Sequence, residues 1–228
     1  QITAIHEFEK KIVLKGYSHN TLKSYKTAFS YFLSYFKERD LKDITKSEIE
    51  SYVYHLVKGY QISESMQNVT INAIKFYYEN VLGFQRDYYE IQRPKRSITL
   101  PKILSQKEVI RLINTPTNIK HKAILYTLYS AGLRISEILN VRIEDIRSDE
   151  GYIYVKGAKG KKDRKTVLSP ILLNLLRSYY KIYKPSYWLF EGQDGGQYST
   201  RSIQAIFRKA VTISKVNSWS TPHTLRHS

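Results

Sequence analysis

The 228-residue chain carries 37 lysines and arginines against 20 acidic side chains, a net charge of +17, with 42% hydrophobic residues and no cysteine. That composition suits one large or two small domains with a sizeable core, and it excludes a disordered chain, disulfides, zinc–thiolate sites and cysteine nucleophiles. So large a basic excess points to a polyanionic partner, nucleic acid first, with a merely basic globular protein as the plain alternative.

The opening residues, QITAIHEFEKK, are polar and show no signal-peptide pattern. No apolar run reaches the roughly 18 residues of a membrane span. No membrane partner is expected, and a cytoplasmic location is. Residues 3–14 place Ile5, Phe8 and Ile12 at helical spacing, and residues 20–37 carry a stripe of Leu22, Tyr25, Phe29, Phe32 and Phe36. Thr45-x-x-Glu48 is a capping box that opens a helix to about Lys58. A fourth helix runs from about Ser63 to Val81 and stops at Gly83. Four helices with short connections predict a small bundle, its many tyrosines serving mainly as core and rim.

The stretch IQRPKRSITLPK, residues 91–102, holds two prolines and four basic residues without helical period. It reads as an extended linker that can track a phosphate backbone. Charge divides at this point. Residues 1–90 hold 12 basic and 11 acidic side chains, whereas residues 102–228 hold 22 and nine. The two halves therefore do different work.

Beyond the linker the pattern is mixed. Ser105-x-x-Glu108 caps another helix, residues 122–141 form an apolar helical stretch broken at Gly132, and residues 151–169 alternate around a Gly/Lys turn as a hairpin. Residues 169–183 and 200–216 are amphipathic helices. In TPHTLRHS, Thr221 is a good N-cap and Pro222 suits the first helical position, so His223 and Arg226 share one face beside free backbone N–H groups. That arrangement suits a phosphate; a solvated basic helix end is the plain alternative. Arg134 and Glu137 are likewise three apart, between Leu133, Ile135, Ile138 and Leu139. They read either as an internal ion pair or as an arginine aimed by a carboxylate so that its fork meets a phosphate. Lys156, Lys159, Lys161 and Lys162 project from the hairpin turn, where a lysine is either solvated or lowered onto a leaving oxygen as a proton donor.

Taken in order, G-L-R-x-S-E, the hairpin K-G-x-K and H-x-L-R-H resemble the motifs of the tyrosine recombinases, the Xer-like and phage-type integrases. The resemblance covers nearly the whole chain, with the T-L-x-x-Y helix falling in its first half. It implies a mainly α fold with a small β-hairpin or sheet. A helical-bundle core-binding (SAM-like) DNA-binding domain would span 1–90, a basic linker 91–101, and an α+β catalytic domain, incomplete at its C-terminus, 102–228. It implies site-specific strand exchange through a 3′-phosphotyrosine, without metal or cofactor, by a homotetramer on two DNA duplexes.

By the same resemblance Arg134 and Arg226 are catalytic arginines holding the non-bridging phosphate oxygens, and Glu137 supports the first. Lys159 is the general acid toward the 5′-hydroxyl, with Lys161 and Lys162 close by, and His223 is the pocket histidine. DNA contacts are expected from Thr21, Lys23 and Lys26 and from Gln67, Asn68, Asn72 and Lys75. Further contacts fall to Arg93, Lys95 and Arg96 in the linker, to Lys161, and to Arg201, Gln204 and Arg208. In the family a histidine or tryptophan and then the nucleophilic tyrosine follow H-x-x-R, whereas all 20 tyrosines here precede His223. The expectation is a fragment that binds DNA without cleaving it. A naturally truncated DNA-binding regulator is the alternative reading, and a topoisomerase IB or protelomerase a more distant one.

Overall fold

The computed structural model describes residues 2–85, 91–94, 102–158 and 162–228. It divides into two compact units, Gln1–Ile98 and Thr99–Ser228. Among the described residues no helix is long and apolar enough to cross a membrane.

The first unit is built from α1 (Ile2–Leu14), α2 (His19–Tyr35), α3 (Lys46–Tyr60) and α4 (Glu64–Asn80), with a 3-10 turn at Leu41–Asp43. Polar side chains mark the starts of the last three helices. Ser18 and Ser63 accept from backbone N–H groups three residues on, and Thr45 and Glu48 exchange bonds as the expected capping box. The helical stripe becomes an aromatic core. Phe8 stacks on Phe29 at 4.4 Å, and Phe32 meets Tyr52 edge-on at 5.4 Å. Burying each such ring contributes about 1.5–3 kcal/mol, so Phe29→Ala would cost this unit about 3–5 kcal/mol. Ile91 belongs to the same core. The segment read as an extended linker therefore starts from this unit's core at Ile91.

The second unit contains α5 (Gln106–Asn114), α6 (Ile119–Ser130), α7 (Ile135–Asn140), α8 (Pro170–Tyr183), α9 (Thr200–Ser214) and α10 (Pro222–His227). An antiparallel sheet of β1 (Ile146–Arg147), β2 (Tyr152–Ala158) and β3 (Lys162–Val167) completes it. The hairpin is thus extended by a third strand, and the fold is mainly helical with a small sheet, as the sequence predicts. Gly132 adopts φ +57°, a left-handed conformation costly for other residues, which ends α6 and allows the chain to turn into α7.

On β2, Ile153 and Val155 face the core, alternating with outward Tyr152 and Tyr154. A register shift between Val155 and Ala158 coincides with Gly157 at φ +60°. The Asp163 carboxylate braces that bulge, accepting from the Gly157 N–H and the Tyr154 hydroxyl, both at 2.8 Å. Leu225 of α10 is fully buried in the unit's core with Ile124, Leu128 and Phe207. That anchor fixes the orientation of a six-residue helix too short to hold itself.

Candidate active site

Arg134, at the N-cap of α7, and His223 and Arg226, on α10, line one cavity of about 340 Å³ with Leu133, Ser136, Gln204 and Thr221. Local chemistry sets the first of these. Glu137 occupies the third position of α7 and accepts from the Arg134 backbone N–H at 2.8 Å, so the carboxylate that caps the helix also receives Arg134 Nη1 at 2.7 Å. Glu137 is only 6% exposed. A carboxylate at that depth needs compensation, and a second guanidinium supplies it: Arg164 Nη2, from β3, lies 2.9 Å from Glu137 Oε2. Burial pushes the Glu137 carboxyl up, but the N–H of Arg134 and the guanidiniums of Arg164 and Arg134 outweigh it and hold it below the usual carboxylate range.

Arg226 is placed differently. Its Nη1 is buried and makes no hydrogen bond within the protein. Burial, and then the positive charge of Arg134, lower its proton affinity, with Glu137 partly opposing and Arg164 adding to the effect. Three guanidiniums therefore converge around one carboxylate, which leaves a local excess of positive charge and an unused N–H donor. An oxyanion is what such a site stabilises.

His223 Nε2 lies 3.0 Å from His227 Nε2, with the rings edge-to-face at 4.3 Å. Burial, His227, Arg226 and Arg134 all push its pKa down, so the imidazole is neutral at neutral pH and can accept a proton. Among the described residues no cluster of three or more His, Asp or Glu side chains converges as a metal site.

The structure thus brings Arg134, Glu137, His223 and Arg226 together from positions about ninety residues apart in the chain. Lys159 and Lys161, like Lys95 and Arg96, lie outside the described residues. Lys156 is held by Asp145 at 2.9 Å and Glu144 at 3.1 Å, as a brace at the base of the hairpin. Gln204 is at the cavity wall, while Arg201 and Arg208 are exposed on α9.

In the first unit Lys23 is exposed and Thr21 half-buried, with its hydroxyl 2.9 Å from that of Ser18. Lys26 pairs with Glu9 and Lys75 with Glu79. Gln67 is half-buried. Asn68 and Asn72 both accept from Arg93, at 3.0 and 2.8 Å. Arg164 and His227 were not singled out by the sequence reading. The signal for His227 was its place one turn after His223; Arg164 has no local signal.

Comparison with known proteins gives matches to two sequence profiles. Residues 102–228 match the phage integrase family and residues 5–87 the phage integrase N-terminal SAM-like domain. A putative integrase/recombinase, y4qK, of Sinorhizobium fredii is 35% identical, covering 94% of this chain and 70% of that protein. The tyrosine recombinase XerA of Pyrococcus horikoshii is 32% identical, covering 98% and 77%. Among solved structures, a XerA recombinase aligns over 99% of this chain and 81% of its own, with TM-score 0.53 and 27% identity. A lambda integrase dimer bound to a core site aligns over 99% and 86%, with TM-score 0.78; at 14% identity it is a likeness of fold.

Proposed function

The chain belongs to the phage integrase family of tyrosine recombinases, enzymes of site-specific DNA recombination, and we propose that the Arg134–His223–Arg226 cavity is its scissile-phosphate pocket. Arg134 and Arg226 hold the two non-bridging oxygens and stabilise the charge that builds on them as phosphorus becomes five-coordinate. Glu137 and Arg164 keep the Arg134 fork in place. His223 accepts the proton of the attacking tyrosine hydroxyl or bonds the phosphate, and Lys159 protonates the departing 5′-oxygen. One P–O bond forms to the tyrosine as the P–O bond to the 5′-oxygen breaks, conserving a phosphodiester for the second transfer.

The observation that carries this reading is the buried, unpartnered Nη1 of Arg226 beside Arg134 in that cavity. The partner is duplex DNA at a specific site, and the recombinase works as a tetramer on two duplexes in the cytoplasm. Among the described residues no tyrosine lines the cavity. All 20 tyrosines precede the H-x-x-R motif, after which the family's nucleophile falls, so these residues by themselves are read as binding DNA without cleaving it. Incubation with nicked duplexes carrying the target site tests this: retention of labelled DNA that is fully lost in denaturant is expected. A denaturant-resistant adduct on any of these tyrosines would overturn it.

A further inference from the structure

Arg93 sits between two asparagines one turn apart on α4. Its Nη1 donates to Asn68 Oδ1 at 3.0 Å and its Nη2 to Asn72 Oδ1 at 2.8 Å. A guanidinium has donors only, so both carboxamides must turn their oxygens toward it. Each side chain also makes a second hydrogen bond. Asn68 Nδ2 donates to the Glu64 carbonyl at 2.9 Å, and the Asn72 side chain is hydrogen-bonded to Tyr25. Each carboxamide is therefore already oriented by two bonds within the protein, rather than free to turn its donor–acceptor edge onto an adenine.

The arginine is in the opposite condition. Its partners among the described residues are neutral carboxamides, which orient the cation without neutralising it, and among those residues two of its five N–H groups are used. Its side chain is exposed. Buried Ile91 anchors the backbone two residues earlier, and Pro94 restricts Arg93 to extended conformations.

We propose that Asn68 and Asn72 are positioning residues that hold Arg93 as a pre-aimed DNA contact, rather than readers of bases themselves. The inference rests on the DNA-binding reading above. The acceptors that Arg93 meets are a pair of phosphate oxygens or the O6/N7 edge of a guanine.

A double-mutant cycle tests it on the full chain, using duplex binding across a salt series, with circular dichroism to verify helix content. Arg93→Ala is expected to weaken binding about tenfold, the scale of a lost charged hydrogen bond. Asn68→Ala/Asn72→Ala should weaken it by a similar factor, and should have no further effect, within about twofold, in the Arg93→Ala background. Equal loss on all sequences with a salt slope lower by about one assigns phosphate, and loss confined to duplexes with a particular G·C pair assigns guanine. Additive losses would overturn the inference and make the asparagines independent readers, and an unchanged affinity of Arg93→Ala would overturn it too. Failure of the wild-type chain to bind any duplex would instead overturn the DNA-binding reading.

Discussion

Replacing Glu137 with glutamine keeps the size of the side chain and one acceptor oxygen but removes the charge that two arginines share. In the folded chain that carboxylate is 6% exposed and receives Arg134 N, Arg134 Nη1 and Arg164 Nη2 at 2.7–2.9 Å. Breaking a fully buried pair costs about 3–5 kcal/mol and an exposed pair about 0–1 kcal/mol. Here the arginine side chains are 37% and 32% exposed, so solvent screens part of the interaction and a loss of about 2–3 kcal/mol is expected. Both tryptophans, Trp188 and Trp219, lie in the second unit, so their fluorescence in a urea titration reports this loss without interference from the first.

The pH dependence follows from the direction of the Glu137 shift. A carboxyl held below its unfolded value of about 4.3 contributes its full stabilisation above that pH and loses it as the pH falls toward the folded value. The gap between wild type and Glu137→Gln should therefore be constant near neutrality and close only in the acid range. Equal urea midpoints at pH 7, or a gap that persists unchanged through acid, would refute the assignment of Glu137 as the shared counter-charge.

Arg226→Met removes a cation that faces Arg134 and Arg164, so the second unit should gain about 0.5–2 kcal/mol in urea titration while duplex affinity falls; a loss of stability would count against the uncompensated cluster. His223 has its pKa pushed down by burial and neighbouring positive charge, and a bound phosphate favours the imidazolium. Duplex affinity should therefore rise as the pH falls through its titration, and His223→Gln should flatten that rise; an unchanged slope removes His223 from the pocket. Arg201→Ala should weaken duplex binding and reduce the salt slope by about one, whereas unchanged salt dependence takes that face of α9 out of the DNA contact.

Much of this architecture is legible in the chain because its signals are local. The boxes Thr45–Glu48 and Ser105–Glu108 mark helix starts by hydrogen bonds three residues long, and Gly132 marks a break by its own backbone freedom. Arg134 with Glu137, and His223 with Arg226, are i,i+3 pairs for the same reason. What joins those pairs is not local. Arg164 reaches Glu137 across 27 residues from a strand whose register is set by the Gly157 bulge and its Asp163 brace. The same limit hid the partners of Arg93. A basic residue in a proline-containing segment reads as a linker charge on the phosphate backbone, and nothing nearby reveals that Asn68 and Asn72, more than twenty residues earlier, receive it.

The most direct test of the account is the salt dependence of duplex binding by the wild-type chain and by Arg134→Ala/Arg226→Ala. Two guanidiniums on one phosphate predict clearly weaker binding and a shallower slope of log affinity against log salt, by about 0.9 for the one phosphate they neutralise. Equal affinities and equal slopes would contradict the central claim that this cavity receives a DNA phosphate.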